Sequence, residues 1–197
     1  MRIERLVVVL AAAVALAGSL ARPADAAVII DVTEIGGDVV AVFSGSLDTT
    51  GLVFANNVQT PAGVNPGFGF IGVGAAARTF FDGINGPSSF GPGGFLEADS
   101  AFGDYFAIAT NGTRLGFNLG YVSGSDLSGS ATWNTSSFTS LGMTPGTYVW
   151  TLPSQDTVTL NIGIEPIPEP ASLAIFGLGA AGLALLRRRN CPSVVNV

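Results

Sequence analysis

The sequence contains no histidine, no lysine and one cysteine, Cys191, among its 197 residues. Histidine and lysine are the usual general bases and nucleophile activators near neutral pH. Their absence excludes a Ser-His-Asp triad, and no Gly-x-Ser-x-Gly elbow occurs. Because Cys191 lies close to the C-terminus, residues 27–165 also lack a disulfide and a thiolate metal site. These absences predict a protein that is not an enzyme and that has no catalytic residues, metal or cofactor.

Positive charge is scarce except at the two ends of the chain. Arg78 and Arg114 are the only basic residues between Ala27 and Pro170, where twelve aspartates and glutamates stand. This segment therefore has a net charge of −10 when all these groups are ionised. Such an acidic surface repels phosphate backbones, so nucleic acid is excluded as a partner.

The N-terminal segment has the three parts of a secretory signal peptide. Residues 1–5 form a short charged start, and residues 6–20 are almost entirely apolar. Ala24 and Ala26 then supply the small residues that signal peptidase accepts. An uncleaved membrane anchor is the alternative, but this run is shorter than the roughly 20 residues of a comfortable span. We predict cleavage after Ala26, with cleavage after Ala27 as the second choice.

A second apolar run, residues 171–186, lies near the C-terminus. As a helix it would be about 24 Å long, somewhat short of a hydrocarbon core of about 30 Å. Arg187, Arg188 and Arg189 follow it directly, and by the positive-inside rule they keep that end in the cytoplasm. This charge cluster favours a single transmembrane helix with an arginine stop-transfer signal over a buried core helix.

Pro168, Glu169 and Pro170 stand immediately before this helix. Two prolines so close together cannot enter a helix interior, so they end the preceding domain with an extended spacer. The order of Pro-Glu-Pro, a glycine-containing apolar helix and an arginine cluster resembles the PEP-CTERM sorting signal of Gram-negative bacteria. A plain linker is the alternative. In that family the sorting motif is read by a membrane enzyme called exosortase.

The resemblance implies an exported protein that is processed by signal peptidase and exosortase. It would pass through the inner membrane as a single-pass intermediate and reach the cell surface or the extracellular matrix. Because the family is common in exopolysaccharide producers, an exopolysaccharide is a further expected partner. Residues 37–47 and 146–163 also resemble the opening and closing strands of family members. The tail after Arg189 departs from the family, whose members usually stop at the arginines.

The segment between the two ends is predicted to be an all-β, antiparallel β-sandwich-like domain. Alternating apolar residues flank Gly36-Gly37, which indicates a first hairpin. Asn111-Gly112 indicates a second hairpin with a type I′ turn. Later strands are expected within residues 130–138, 147–152 and 157–162, and many short strands between turn residues favour a sandwich.

Two stretches of this domain do not read as strands. The run Gly74-Ala-Ala-Ala-Arg-Thr-Phe-Phe suggests a short helix. Residues 65–94 contain nine glycines and are expected to form variable surface loops. They also contain Phe68, Phe70, Phe80, Phe81 and Phe90, which together are too apolar for a disordered segment.

Candidate chemistry in this domain is weak. Glu34, Glu97, Asp99 and Asp104 could form a glycosidase carboxylate pair, but twelve acidic residues on one surface produce close pairs by chance. Residues 97–104 also offer spaced oxygen ligands for Ca²⁺, although without an EF-hand pattern. Gly67-x-Gly69-x-x-Gly72 matches a dinucleotide-binding motif only in its letters.

The sequence thus predicts four segments: a signal peptide, residues 1–26; a β-rich extracytoplasmic domain, 27–165; the sorting signal, 166–189; and a short tail, 190–197. The expected function is that of an exported surface or matrix protein whose domain is structural. A carbohydrate-binding or Ca²⁺-binding surface module is the alternative.

Overall fold

A computed structural model describes residues 26–75 and 77–164. This part of the chain is mostly β-strand, which confirms the all-β prediction. The strands are β1 (Ala27–Ile35), β2 (Asp38–Gly45), β3 (Val53–Asn56), β4 (Gly63–Asn65), β5 (Phe70–Val73), β6 (Arg78–Asp82), β7 (Leu96–Glu97), β8 (Ser100–Gly103), β9 (Phe106–Ala109), β10 (Arg114–Asn118), β11 (Leu127–Trp133), β12 (Gly146–Thr151) and β13 (Thr157–Ile162). A 3₁₀ turn, Pro66–Phe68, and a one-turn helix α1, Phe138–Leu141, complete them.

The first sheet has six strands in the order β12-β13-β1-β2-β11-β8. Its neighbouring strands are antiparallel except for β1 and β13, which pair in parallel from Ala27 opposite Thr157 to Val32 opposite Ile162. The prediction of a purely antiparallel sandwich is therefore wrong at this one pair. The first and last strands can pair in parallel because nearly the whole domain serves as the long connection between them.

The second sheet has seven strands in the order β3-β6-β10-β9-β5-β4-β7. All its neighbouring strands are antiparallel. The two sheets share one apolar core, and the rings of Phe43 on β2 and Phe106 on β9 meet with centroids 5.5 Å apart. Alternate residues of β1, β9, β10 and β13 point into this core, as the period-2 patterns predict; they are Val28, Ile30, Val32, Val158, Leu160, Ile162, Phe106, Ile108, Leu115 and Phe117.

Both predicted hairpins are present, with one difference in the second. Gly36 and Gly37 connect β1 and β2, and both have positive φ, as a type I′ turn requires. Arg114 pairs with Ala109, so four residues, not two, connect β9 and β10. Three of these, residues 110–112, have left-handed φ. The Thr113 N–H donates to the Ala109 carbonyl at 3.2 Å, which closes this wider turn.

The expectations for residues 65–94 and for the alanine run are wrong. The stretch contains β5, whose four residues are all buried, and β6, which includes residues 78–81 of the proposed helix. These residues pair as a strand because Phe80 and Phe81 can then face the two sides of a sheet. Residues 83–94 do form a loop, but Phe90 within it is almost completely buried.

Several predicted features lie outside the described residues. These are the signal peptide up to Asp25, including Ala24, together with Pro168, Glu169, Pro170, the apolar run 171–186, Arg187, Arg188 and Arg189. Ala26 is described and directly precedes β1. Within residues 26–75 and 77–164, no helix has the length and apolar character needed to cross a membrane.

Candidate functional site: an aromatic pocket on the second sheet

The outer face of the second sheet carries a second apolar cluster, separate from the core. Its main members are Phe70, Phe80 and Tyr105, and all three side chains are buried. Gly72 and Gly116 leave room for these three side chains, because neither glycine has a side chain of its own. A Cβ atom at Gly116 would come within 2.7 Å of the Phe80 ring. Small residues beneath large aromatic rings thus allow this face of the sheet to bury rings.

Tyr105 is the polar member of this cluster. The Arg78 guanidinium carbon lies 4.3 Å from the centre of the Tyr105 ring, in a cation–π contact. Burial raises the pKa of Tyr105 well above its usual range, while the charge of Arg78 opposes that shift. Among the described residues, the buried Tyr105 hydroxyl has no hydrogen-bond partner. The phenol is therefore neutral and serves as an apolar ring.

A pocket of about 180 Å³ opens at the other end of this cluster. Its apolar lining consists of Phe70, Phe80, Ala109, Val58 and Phe68. Phe68, at the end of the 3₁₀ turn, is 47% exposed, so much of its ring faces solvent at the pocket. Four polar residues complete the lining: Asn56, Thr60, Thr110 and Arg114.

The charge of Arg114 is matched within the site. Arg114 Nε donates to Asp82 Oδ1 at 2.7 Å, and Arg114 Nη2 donates to Asp82 Oδ2 at 3.0 Å. This two-point pair holds the pKa of the Asp82 carboxyl below its usual range. The Asp82 carboxyl is therefore ionised at neutral pH, and the pocket carries no net charge from the pair.

Asn56 is the pocket residue with an unsatisfied group. Its Oδ1 atom is buried and accepts no hydrogen bond from any described residue. The neighbouring Asn57 differs, because its Oδ1 accepts a hydrogen bond from the Thr79 hydroxyl. An unpaired buried amide oxygen costs about 1–3 kcal/mol, so a donor that met Asn56 would stabilise the site.

The carboxylates considered from the sequence are spread over the fold. Asp99 and Asp104 flank β8 and so lie about 16 Å apart along the strand, at 3.3 Å per residue. Glu34 is on β1, which lies three strands from β8 in the same sheet. Because a glycosidase pair stands about 5–9.5 Å apart, Glu34, Asp99 and Asp104 do not form one with each other. The same separation prevents Asp99 and Asp104 from sharing one Ca²⁺. Glu97, on β7, is only two residues from Asp99 in the sequence.

These carboxylates accept hydrogen bonds that hold loops and strand ends. Asp99 Oδ2 accepts from the Asn134 N–H at 2.7 Å, and Glu34 accepts from the Phe138 N–H at the start of α1. Asp104 accepts from the Asn118 side chain at 2.6 Å and from the Ser128 N–H at 3.0 Å. Glu34, Asp99 and Asp104 are thus structural acceptors in this fold.

A further acidic group lies where β1 and β13 begin. The buried Asp156 accepts from the Asp48 N–H at 2.6 Å. Asp48 itself accepts from the Thr50 hydroxyl, the Thr50 N–H and the Ser123 hydroxyl. These bonds, the Thr50 hydroxyl foremost, hold the pKa of Asp48 below its usual range. No group of three or more metal-ligating side chains occurs in the described part of the chain.

Comparison with known proteins adds one finding, and it lies in the C-terminal segment. Residues 166–189 match the family model of the PEP-CTERM protein-sorting motif. The chain carries a PEP-CTERM sorting motif. Pro168 to Pro170 and Arg187 to Arg189 all fall within the matched residues. No curated protein and no solved structure gives a significant match to the chain.

The PEP-CTERM motif supports an exported protein that is targeted by exosortase. It implies passage through the membrane to the cell surface of a Gram-negative bacterium. These two conclusions agree with the sequence resemblance, which named the same motif from the same residues.

The sequence alone does not predict the pocket. In the sequence, Phe68, Phe70 and Phe80 indicate only that residues 65–94 are too apolar for a disordered segment. The missing information was pairing: β5, β6, β9 and β10 bring residues from positions 56 to 114 onto one face of the second sheet. The available signal was the alternation Phe70-Ile-Gly72-Val, in which one side is fully apolar and the other alternates a ring with a glycine.

Proposed function

We propose that the protein is a non-enzymatic surface or matrix protein, in which a β-sandwich domain is delivered by its PEP-CTERM motif and serves a structural role. The observation that carries the proposal is the matched motif at residues 166–189. The last strand, β13, ends at Ile162, and the motif begins four residues later. A domain with its own apolar core is thus followed closely in the sequence by a sorting motif.

The arrangement of the two ends supports delivery by both terminal signals. β1 begins at Ala27, directly after the predicted signal peptidase site at Ala24 and Ala26. Because β1 and β13 are parallel, the chain enters the first sheet at one end and leaves it at the opposite end.

The proposal that the domain is not an enzyme has two supports. The sequence lacks histidine and lysine, so common acid–base groups are missing. The carboxylates that might replace them, Asp99, Asp104 and Glu34, accept hydrogen bonds from backbone or amide donors instead.

A second candidate function is a binding module on the bacterial surface. The Ca²⁺-binding form of this idea is disfavoured by the separation of Asp99 and Asp104, which flank the two ends of β8. The carbohydrate-binding form is favoured by the aromatic pocket, whose lining combines three phenylalanines with four polar residues.

The experiment for the sorting function replaces Pro168-Glu169-Pro170 with three alanines in an exosortase-positive host. The variant keeps the apolar run and Arg187–Arg189, so membrane insertion is preserved. We expect it to remain in the inner-membrane fraction at the unprocessed mass, while the wild type reaches the cell surface.

Pro192→Ala is the matched control, because this proline lies after the matched residues. It should fractionate as the wild type does. The same location and the same apparent mass for the wild type and the triple-alanine variant would contradict enzymatic sorting.

A further inference from the structure

We propose that the aromatic pocket on the second sheet binds one ring of an uncharged sugar residue. This inference rests on the second candidate function above and names its site. It concerns the folded domain alone, so its failure would leave the sorting experiment unaffected.

The volume of the pocket suits a single ring. Its volume is about 180 Å³. An apolar cavity of about 150 Å³ in another protein holds one benzene molecule. The pocket is smaller than the 300–1,000 Å³ of sites for drug-sized ligands. One six-membered ring therefore fits, with the rest of a chain left in solvent.

The apolar lining offers ring faces. Phe70 and Phe80 are almost fully buried, whereas Phe68 is 47% exposed. Aromatic faces carry partial negative charge, so they attract the slightly positive C–H bonds of a sugar ring face. Ala109 contributes only a methyl group to the apolar lining. Phe68 is thus the available stacking surface.

The polar lining can form hydrogen bonds with the hydroxyl groups at the edge of a sugar ring. Asn56, Thr60, Thr110 and Arg114 supply amide, hydroxyl and guanidinium groups beside the phenylalanines. Asn56 Oδ1 has no hydrogen-bond partner among the described residues. The terminal torsion of asparagine is soft, so the amide can turn towards a ligand hydroxyl at little cost. A sugar ring has both an apolar face and an edge of hydroxyl groups, whereas a hydrocarbon ring would leave these polar groups unpaired.

The electrostatics favour a neutral ring over an acidic one. Asp82 occupies Nε and Nη2 of Arg114, so the guanidinium charge is already matched. Residues 27–170 carry twelve acidic groups and only two arginines, and the resulting net negative charge repels a carboxylate ligand. A uronic acid would therefore have to compete with Asp82 for Arg114 against a negative surface.

The test uses the full chain, purified in a detergent without a sugar headgroup so that the detergent does not compete. The protein is applied to an array of neutral hexose oligosaccharides, uronic-acid oligosaccharides and short phenylalanine-containing peptides. The strongest ligand is then titrated by calorimetry. We expect retention on at least one neutral oligosaccharide and none on the uronic acids or the peptides.

Two variants place the binding at the pocket. Phe68→Ala removes the stacking ring and should weaken the affinity about tenfold. Phe102→Ala is its matched control, because Phe102 is 68% exposed on β8 of the other sheet, and it should bind as the wild type does. Ala109→Leu narrows the pocket and should also reduce binding. This second variant tests the position of the binding site even if Phe68→Ala does not fold. Circular dichroism reports whether each variant is folded.

Asp82→Asn tests the charge argument, because it leaves Arg114 unmatched at the pocket. The variant should gain retention on uronic acids relative to the wild type, and no gain would contradict the charge argument. The proposal is overturned if no neutral oligosaccharide is retained or if the wild type prefers uronic acids or the peptides. It is equally overturned if folded Phe68→Ala and Ala109→Leu variants bind as tightly as Phe102→Ala.

Discussion

At Tyr105, burial and polarity oppose each other within one side chain. The ring packs between Phe80 and Arg78, with the Phe80 ring edge-on at 6.2 Å between centroids. Its hydroxyl is buried without a hydrogen-bond partner in the described part of the protein. Tyr121 is the reverse case, because its hydroxyl accepts from the buried Leu47 N–H at 3.1 Å. The same side chain thus costs free energy in one place and stabilises the fold in the other.

We predict that Tyr105→Phe raises the free energy of unfolding by about 1 kcal/mol, because it removes an unpaired buried hydroxyl and keeps the ring beneath Arg78. Tyr121→Phe is the matched control and should lower it by about 1 kcal/mol, because the Leu47 N–H loses its acceptor. Urea denaturation of the three proteins measures both changes. A loss of stability in Tyr105→Phe would show that its hydroxyl has a partner.

At the scale of elements, glycines allow the loop 83–94 to pack against α1. The loop is held by a hydrogen bond from the Gly93 N–H to the Gly142 carbonyl at 3.1 Å. Gly142 ends α1 in a left-handed conformation, with φ of 65°. A Cβ atom placed there would lie 2.4 Å from the Cα atom of Gly93. Two backbones therefore meet where neither can carry a side chain, and this contact orders a loop that looks variable in the sequence.

We predict that Gly142→Ala lowers the free energy of unfolding by roughly 2–5 kcal/mol, because a left-handed alanine is strained and its methyl group also meets Gly93. Gly36→Ala is the matched control: its φ is 66°, but nothing lies within 4 Å of the added Cβ atom. It should cost only the conformational strain, about 1–2 kcal/mol. Equal losses in the two variants, measured by thermal or urea unfolding, would show that the close approach to Gly93 does not matter.

At the scale of the whole molecule, the first strand occupies an interior position of its sheet. β1 lies between β13 and β2, and it starts at Ala27. The Ala26 carbonyl accepts from the Thr157 N–H at 3.3 Å, and the Ala27 carbonyl accepts from the Ser46 N–H at 3.2 Å. The bond that signal peptidase is predicted to cut is therefore part of the sheet in the folded domain, so cutting must precede folding.

We predict that the exported protein begins at Ala27, measured by intact mass and N-terminal sequencing. This terminus keeps all of β1, whereas cleavage one residue later would remove the acceptor of the Ser46 N–H. A refolded precursor should resist signal peptidase, and the unfolded precursor should be cut. Retention of Met1 in the exported protein, or cutting of the folded precursor, would contradict this view.

Local sequence patterns were sufficient to predict the fold class and the sorting motif. The alternation on either side of Gly36-Gly37 predicted β1 and β2 because a two-residue turn and its strands are neighbours in the chain. The PEP-CTERM motif was also readable from the sequence, because its elements are defined by their linear order over residues 166–189. Neither feature depends on residues that are far apart in the chain.

Only the tertiary structure decided the features that join distant segments. The parallel pairing of β1 with β13 joins residues about 130 positions apart, and no local pattern specifies it. Residues 78–82, at the end of the proposed helix, form β6 because pairing with β3 and β10 outweighed a weak helical preference. The pocket arises in the same way, since Asn56, Phe68 and Arg114 meet only after the second sheet has formed. Local sequence determines which segments can form strands and whether the chain carries a sorting motif. The burial of apolar side chains from distant segments determines which strands pair and which residues lie together on the outer face of a sheet.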